Sequence, residues 1–494
     1  MKRNSLILIV IGLLSCTFYS CENYLDINND PNAPQEVTEK LMLPAIEGTF
    51  AYEVVGGYPV RVSAIWTKHI AFAGSGPHEG NYQLTPNDTD NFWRYSSYTD
   101  VMKTSNELIT KATTNGNPRY SAIAKIILAW NLSYITDAFG DAPLNEAFQG
   151  ESGVTKPAYN TQEDIYKRIQ VLLDEGIAEA GQTTGLKPGA EDFIYGGDMV
   201  KWQKLARSLK ARFHLRLSKA PGYNEKAQAD LALQALAAGA LASNAEMPKY
   251  AYFDESNAEN PWYQFTIDGK WSTAYKPSIY YLNLLNSTND PRLQFQVDPV
   301  PAGANAGKFV GVTNDATPTP LPNYSAIGEF YSAADAPLYM LVYAEIPFIR
   351  AEAEFLKANR TVTPAVIDAY NAGVRASMQM YGIDIAAITA YLAAQPLSLT
   401  PATAYAQIMT EKYIANYLQF ESYNDFRRTG YPNLPLNTET YPGTDLEIEP
   451  VLNIIPLRFP YPSSERSYNN DNIPGEVPSA FLEAMKIPVW WDKE

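Results

Sequence analysis

A chain of 494 residues with 46% hydrophobic content is long enough to bury an extensive core. Its formal charge of −16 excludes a partnership driven by attraction to nucleic-acid phosphates or to an anionic lipid surface. Two cysteines and three histidines, His69, His78 and His214, at no metal-binding spacing, exclude a disulfide scaffold and the common zinc motifs, so neither a cofactor nor a metal is expected.

The amino terminus carries Lys2-Arg3 and an apolar run over residues 6–14, too short to span a bilayer, which predicts a secretory signal over residues 1–20. Ser20-Cys21 and Ser15-Cys16 both place a small residue before a cysteine, the pattern of a lipoprotein cleavage site. Cys21 is the favoured acceptor, because the turn-forming tract Asn28-Asn29-Asp30-Pro31-Asn32 follows it as a natural tether over 21–37; Cys16 is the alternative. Cleavage removes Lys2 and Arg3 and no acid, which takes the charge from −16 to −18 and leaves the acyl chains as the only attraction to a membrane. Asp26-x-Asn28-x-Asp30-x-Asn32 has the alternating oxygens of a calcium loop, but Pro31 replaces the turn glycine and Val37 the bidentate glutamate, so it reads as linker.

Helical periodicity then dominates, predicting helices over Thr38–Val54, Pro59–Ala73, Trp93–Thr113 and Tyr120–Ala138. Thr161-Gln162-Glu163-Asp164 opens a helix whose stripe is Ile165, Ile169, Leu172, Leu173 and Ile177. Asp198 caps the next, through Trp202, Leu205, Leu209, Phe213 and Leu217, with Lys201, Lys204, Arg207, Lys210, Arg212 and Arg216 forming a solvated or salt-bridged face; Glu225–Leu241 follows. Residues 243–337 turn to Pro, Gly, Asn and Asp with scattered aromatics, predicting an irregular insertion with one helix near 278–286. Helices return at Leu338–Ala358, Pro364–Tyr381 and Pro401–Gln419, before a Pro-rich tail over 430–494 containing a short helix, Ser479–Met485. Paired helices of this length point to a mostly α, tetratricopeptide-like scaffold carrying long loop-rich excursions, although no clean 34-residue repeat is present.

Cys21-Glu22-Asn23-Tyr24-Leu25-Asp26 with Asn28-x-Asp30-Pro31-Asn32, Tyr343-Ala344-Glu345 running into Arg350-Ala351-Glu352-Ala353-Glu354, Glu411-Lys412-Tyr413-Ile414, Asp425-Phe426-Arg427-Arg428-Thr429-Gly430-Tyr431-Pro432 and Pro456-x-Arg458-x-Pro460-Tyr461-Pro462 occur in that order. This combination resembles the SusD/RagB-like nutrient-binding outer-membrane lipoproteins of Bacteroidetes over nearly the whole chain. The Arg-Arg-Thr-Gly-Tyr-Pro stretch is closer to the second SusD-like subgroup than to the starch-binding type. The resemblance implies a single SusD-like domain over 38–494, anchored by lipid at the surface of the outer membrane. It further implies that this domain binds oligosaccharide or peptide nutrients for delivery to a SusC-like TonB-dependent barrel, and that it does no chemistry. Independently of the resemblance, Arg427 and Arg428, placed just past a helix and near Glu421 and Asp425, are expected to be structural cross-links.

Sugars and peptides are held by aromatic faces backed by hydrogen-bonding groups. Two loops have that composition: residues 72–93, with Tyr82 and Trp93, and residues 260–275, with Trp262, Tyr263, Phe265 and Trp271. Tyr82, Trp93, Trp262, Tyr263 and Trp271 are therefore the candidate ligand contacts, with inward packing the competing reading for Trp93, Trp262 and Trp271. No nucleophile elbow or phosphate loop occurs, and Gly74-Ser75-Gly76 reads as a flexible loop. The alternative function is a secreted carbohydrate-active enzyme of helical glycoside-hydrolase type, for which Asp137 with Asp141 or Glu352 with Glu354 supply carboxylates.

Overall fold

The computed structural model describes residues 37–73, 79–270, 273–312, 321–436, 439–440, 447–448 and 452–493. The expected signal, Cys16, Cys21, the tether before residue 37, Gly74-Ser75-Gly76, His78 and Trp271 lie outside these residues.

Thr161 caps the helix Gln162–Ala180 by accepting from the Asp164 backbone N–H at 3.1 Å, and Ile165, Ile169, Leu172 and Leu173 are all buried beneath it. They pack on Pro118–Phe139, in which every residue from Tyr120 onward is buried, as a helix apolar around its whole circumference must be. Gly176 sets how closely the two approach: a Cβ there would lie 2.8 Å from Ile126 Cγ1. Successive helices then continue the array, each packing on the last: Met199–Arg216, opened by the Asp198 carboxylate, then Glu225–Ala237, Glu345–Lys357 and Pro364–Met380. Pro401–Ala415 packs across the last two. One contiguous core runs from Met42 to Trp491.

The excursion between Glu225–Ala237 and Glu345–Lys357 is irregular, with the helix Ile279–Ser287 and three two-stranded ladders tying it down. Two of these ladders explain where helices stop short of their sequence periodicity. The helix expected over Pro59–Ala73 ends at Trp66, because Lys68 adopts φ +63 and Ile70–Phe72 pairs antiparallel with Tyr275–Pro277. The helix expected from Leu338 begins only at Glu345, because Leu338–Tyr339 pairs with Lys249–Tyr250. A helix absent from the expectation, Glu421–Thr429, contains Arg427 and Arg428 rather than preceding them.

These arginines join a charge network buried between the helical array and the C-terminal tail. Arg428 bonds Glu352 through both Nη atoms, at 2.5 and 2.8 Å, and Asp425 at 2.9 Å, while Lys412 reaches Asp425 at 2.7 Å. Burial pushes the Asp425 carboxyl up, but Lys412 and Arg428 outweigh it and hold it down to about 2. Arg212 grips Glu345 at 2.5 Å, and Arg216 bridges Asp137 and Glu421, each at 2.6 Å. Arg212 and Arg216 are thus buried cross-links, whereas Lys204 and Lys210 make the more exposed pairs with Glu246 and Asp174 expected of that helix face. Trp491 Nε1 donates to Asp137 at 2.8 Å, which locks the end of the Pro-rich tail onto the network.

Candidate ligand-binding cleft

The ladder that shortens the second helix also joins the two aromatic loops. Phe72 stands opposite Tyr275 with ring centroids 5.2 Å apart, and the Ala73 N–H extends the pairing to the Ala274 carbonyl at 2.8 Å. Beside this junction lies a cleft of about 330 Å³ lined by Glu53, Tyr58, Arg61, Glu79, Asn87, Asp88, Asn91, Phe92 and Ser96.

Arg61 is the lone charged residue of the helix Tyr58–Trp66 and is 4% exposed. Its guanidinium stacks 3.6 Å from the Phe265 ring centroid, so the second loop orients the cation of this helix. Burial pulls the Arg61 pKa below its ordinary value, opposed by Tyr275 and Glu79. Glu79 accepts from Tyr58 Oη at 3.0 Å, and its carbonyl accepts from Trp66 Nε1 at 2.9 Å. Asp88 closes a capping box with Thr85, its carboxylate accepting from the Thr85 N–H and Oγ1 at 2.7 Å each, which starts the short helix Pro86–Asp90 and presents Asn87 and Asn91 at the surface. The cleft therefore presents carboxylates and amides beside a buried guanidinium, an arrangement suited to hydroxyl-rich ligands.

The aromatic candidates divide. Trp262 is 2% exposed and Tyr82 is 0% exposed, so their faces pack into the core and offer no ring to a ligand. Trp262 is drawn in because Asn260 fixes the chain there, its Oδ1 accepting from Trp262 N at 2.7 Å and its Nδ2 donating to Ala336 O at 2.8 Å. Trp93 is 3% exposed and packs edge-on against Phe139 at 4.9 Å. Tyr263 is half-buried on the second loop. Sequence reasoning did not find Arg61, Tyr58 and Glu79; the signal available was a single cation inside an apolar helix.

Among the described residues no group of three or more His, Cys, Asp or Glu is placed to hold a metal ion. Of the carboxylates that a glycosidase would need, Asp137 is held by Arg216, Tyr166 and Trp491, and Glu352 by Arg428 and Tyr405. Burial also pushes the Asp137 carboxyl up, with Arg216 pulling it back.

The SusD-like_2 family, described as starch-binding and associating with the outer membrane, matches residues 31–462. Among solved structures, a SusD/RagB family protein from Bacteroides thetaiotaomicron superposes with a TM-score of 0.74 at 23% identity, covering 92% of this chain and 99% of that one. A chitin-binding protein gives 0.75 at 25% identity over 92% and 100% of the two chains. A chitin-binding SusD homolog from Flavobacterium johnsoniae gives 0.74 at 21% over 92% and 98%. No curated protein matches the chain. The mostly helical array with its loop-rich excursions and the match over residues 31–462 agree, and the chain belongs to the SusD-like family.

Proposed function

We propose that this protein binds oligosaccharides at the outer membrane and passes them to a SusC-like TonB-dependent barrel. The observation that carries the binding is the cleft beside the junction of the two aromatic loops, where Glu79, Asn87, Asp88 and Asn91 of the first loop converge with Arg61 of the helix Tyr58–Trp66. Glycan is preferred to peptide because the family description is starch-binding and a structure 25% identical to this chain is that of a chitin-binding protein. Tyr263 and Trp271 of the second loop are the proposed stacking rings, each sharing the segment that carries Phe265.

Attachment through acylated Cys21 completes the reading. Among the described residues no helix is long and apolar enough to cross a membrane, so a lipid is the simplest anchor for an acidic body. Acyl labelling lost in Cys21→Ser and kept in Cys16→Ser supports that assignment, and the reverse moves it to Cys16. Barrel association predicts that mild-detergent purification recovers a large β-barrel with the protein. Binding itself is tested by titrating the protein with maltohexaose, chitohexaose and a mixed peptide pool. Saturable binding of one glycan without product release is expected, and release of shortened products would establish the hydrolase alternative instead.

A further inference from the structure

The helical segment Asn91–Lys103 has two faces, and only one borders the cleft described above. Its other face, carrying Trp93, Arg94, Tyr98 and Thr99, forms one wall of a second open cleft of about 360 Å³. The opposite walls are the segment around Phe148 and the helix Ser463–Tyr468, which Asp90 holds in place by accepting from Ser463 Oγ and, at 3.0 Å, from Ser464 N.

Two features of this cleft go beyond packing. The first is its exposed aromatic lining: Tyr468 is 74% exposed and Phe148 is 41% exposed, with Phe148 6.0 Å from the Tyr98 ring. Phe148 holds this position at φ +66, a left-handed conformation that bulky side chains avoid and that local packing must maintain. The second is a pre-oriented acceptor. Glu465 Oε2 receives Tyr159 Oη at 2.7 Å and Asn469 Nδ2 at 2.9 Å, which fixes the carboxylate. Its Oε1 receives no donor from the described residues, and Arg94 stands exposed at the same cleft.

We infer that this is a second carbohydrate subsite, in which a pyranose stacks on the exposed ring of Tyr468 beside Phe148 of the same cleft and a sugar hydroxyl donates to Glu465 Oε1. The combination of apolar ring faces and one fixed carboxylate matches a sugar, which presents an apolar C–H face and hydroxyl donors together. This inference rests on the protein being a glycan binder, and the two clefts are separable because each has exposed residues of its own.

The test titrates the purified protein with chitotriose and with maltotriose, comparing Tyr468→Ala, the double variant Asn87→Ala/Asn91→Ala, and the wild type. All substituted side chains are exposed, so melting temperatures are expected to be unchanged. The expected result is two sites for one trisaccharide in the wild type. Tyr468→Ala weakens one of them roughly three- to tenfold, and the double variant weakens only the other. A single wild-type site lost in the double variant and indifferent to Tyr468→Ala overturns the second subsite while sustaining the first cleft. A site weakened by Tyr468→Ala with no effect of the double variant sustains this inference and moves the principal site. Absence of binding by both sugars overturns it.

Discussion

Replacing Arg428 by Met isolates the role of the buried charge network. Arg428 is fully enclosed, and its loss leaves Glu352, also fully enclosed, with Tyr405 Oη at 2.8 Å as its remaining hydrogen-bond donor. Removing one member of a buried pair strands the other charge, which costs about 3–5 kcal/mol. That is a large share of the roughly 5–15 kcal/mol that holds a folded domain together. Asp425 loses its 2.9 Å contact to Arg428 but keeps Lys412 at 2.7 Å, so the damage centres on Glu352. Arg428→Met/Glu352→Leu removes both charges and should recover about 2 kcal/mol or more relative to Arg428→Met, because no charge is then stranded. Urea unfolding followed by circular dichroism at pH 7, on the two single variants and the double variant, measures this coupling. A cost below about 1 kcal/mol for Arg428→Met, or strictly additive single effects, would show that Glu352 is not stranded when Arg428 is lost.

His69 gives a pH prediction. Its Nδ1 lies 3.3 Å from the Leu418 N–H and its Nε2 lies 3.2 Å from the Tyr413 carbonyl, so the network calls for neutral imidazole, and burial lowers its pKa to about 3. The unfolded chain takes up the proton near pH 6.5, so this contribution is present above pH 6.5 and is lost as pH falls towards 3; by pH 5 the loss is about 2 kcal/mol. His69→Phe should therefore show a smaller stability difference between pH 7 and pH 5 than the wild type, by about that amount, whereas equal differences would show that His69 is not held neutral. Gly373→Ala should destabilise despite alanine's better helix propensity, because its Cβ would sit 2.7 Å from the Phe348 ring; the expected cost is about 1–3 kcal/mol in thermal or urea unfolding, and a neutral or stabilising result would contradict the close approach. Trp262→Ala should act on stability, by about 3–5 kcal/mol, since the ring is 2% exposed; a loss of glycan affinity with unchanged melting would reverse that assignment.

The helical half of this molecule is legible because its signals are local. Thr161 and Asp198 announce helix starts, and the Ile165–Leu173 stripe gives the buried face, both within a few residues. The elements the sequence misplaces are those whose backbone partners are remote. Ile70–Phe72 leaves helical periodicity for a strand 205 residues away in register, and Leu338–Tyr339 does the same for Lys249–Tyr250. The two aromatic segments stand out by composition, although each contains short helical turns such as Pro86–Asp90 and Tyr263–Ile267, and composition cannot tell a ring facing solvent from one facing the core. Trp262 and Tyr82 therefore read as binding residues although both are buried. Arg61 was legible only as an oddity in an apolar helix, and its role depends on Phe265, which arrives from the other loop.

A crystal structure of the protein with bound chitohexaose or maltohexaose decides whether glycan is held in the cleft beside the junction of the two loops. Sugar is expected in the cleft lined by Arg61, Glu79, Asn87, Asp88 and Asn91, with hydroxyls bonded to its carboxylates and amides. Sugar seated instead on the outer surface of the helical array, with this cleft empty at saturating ligand, would contradict it.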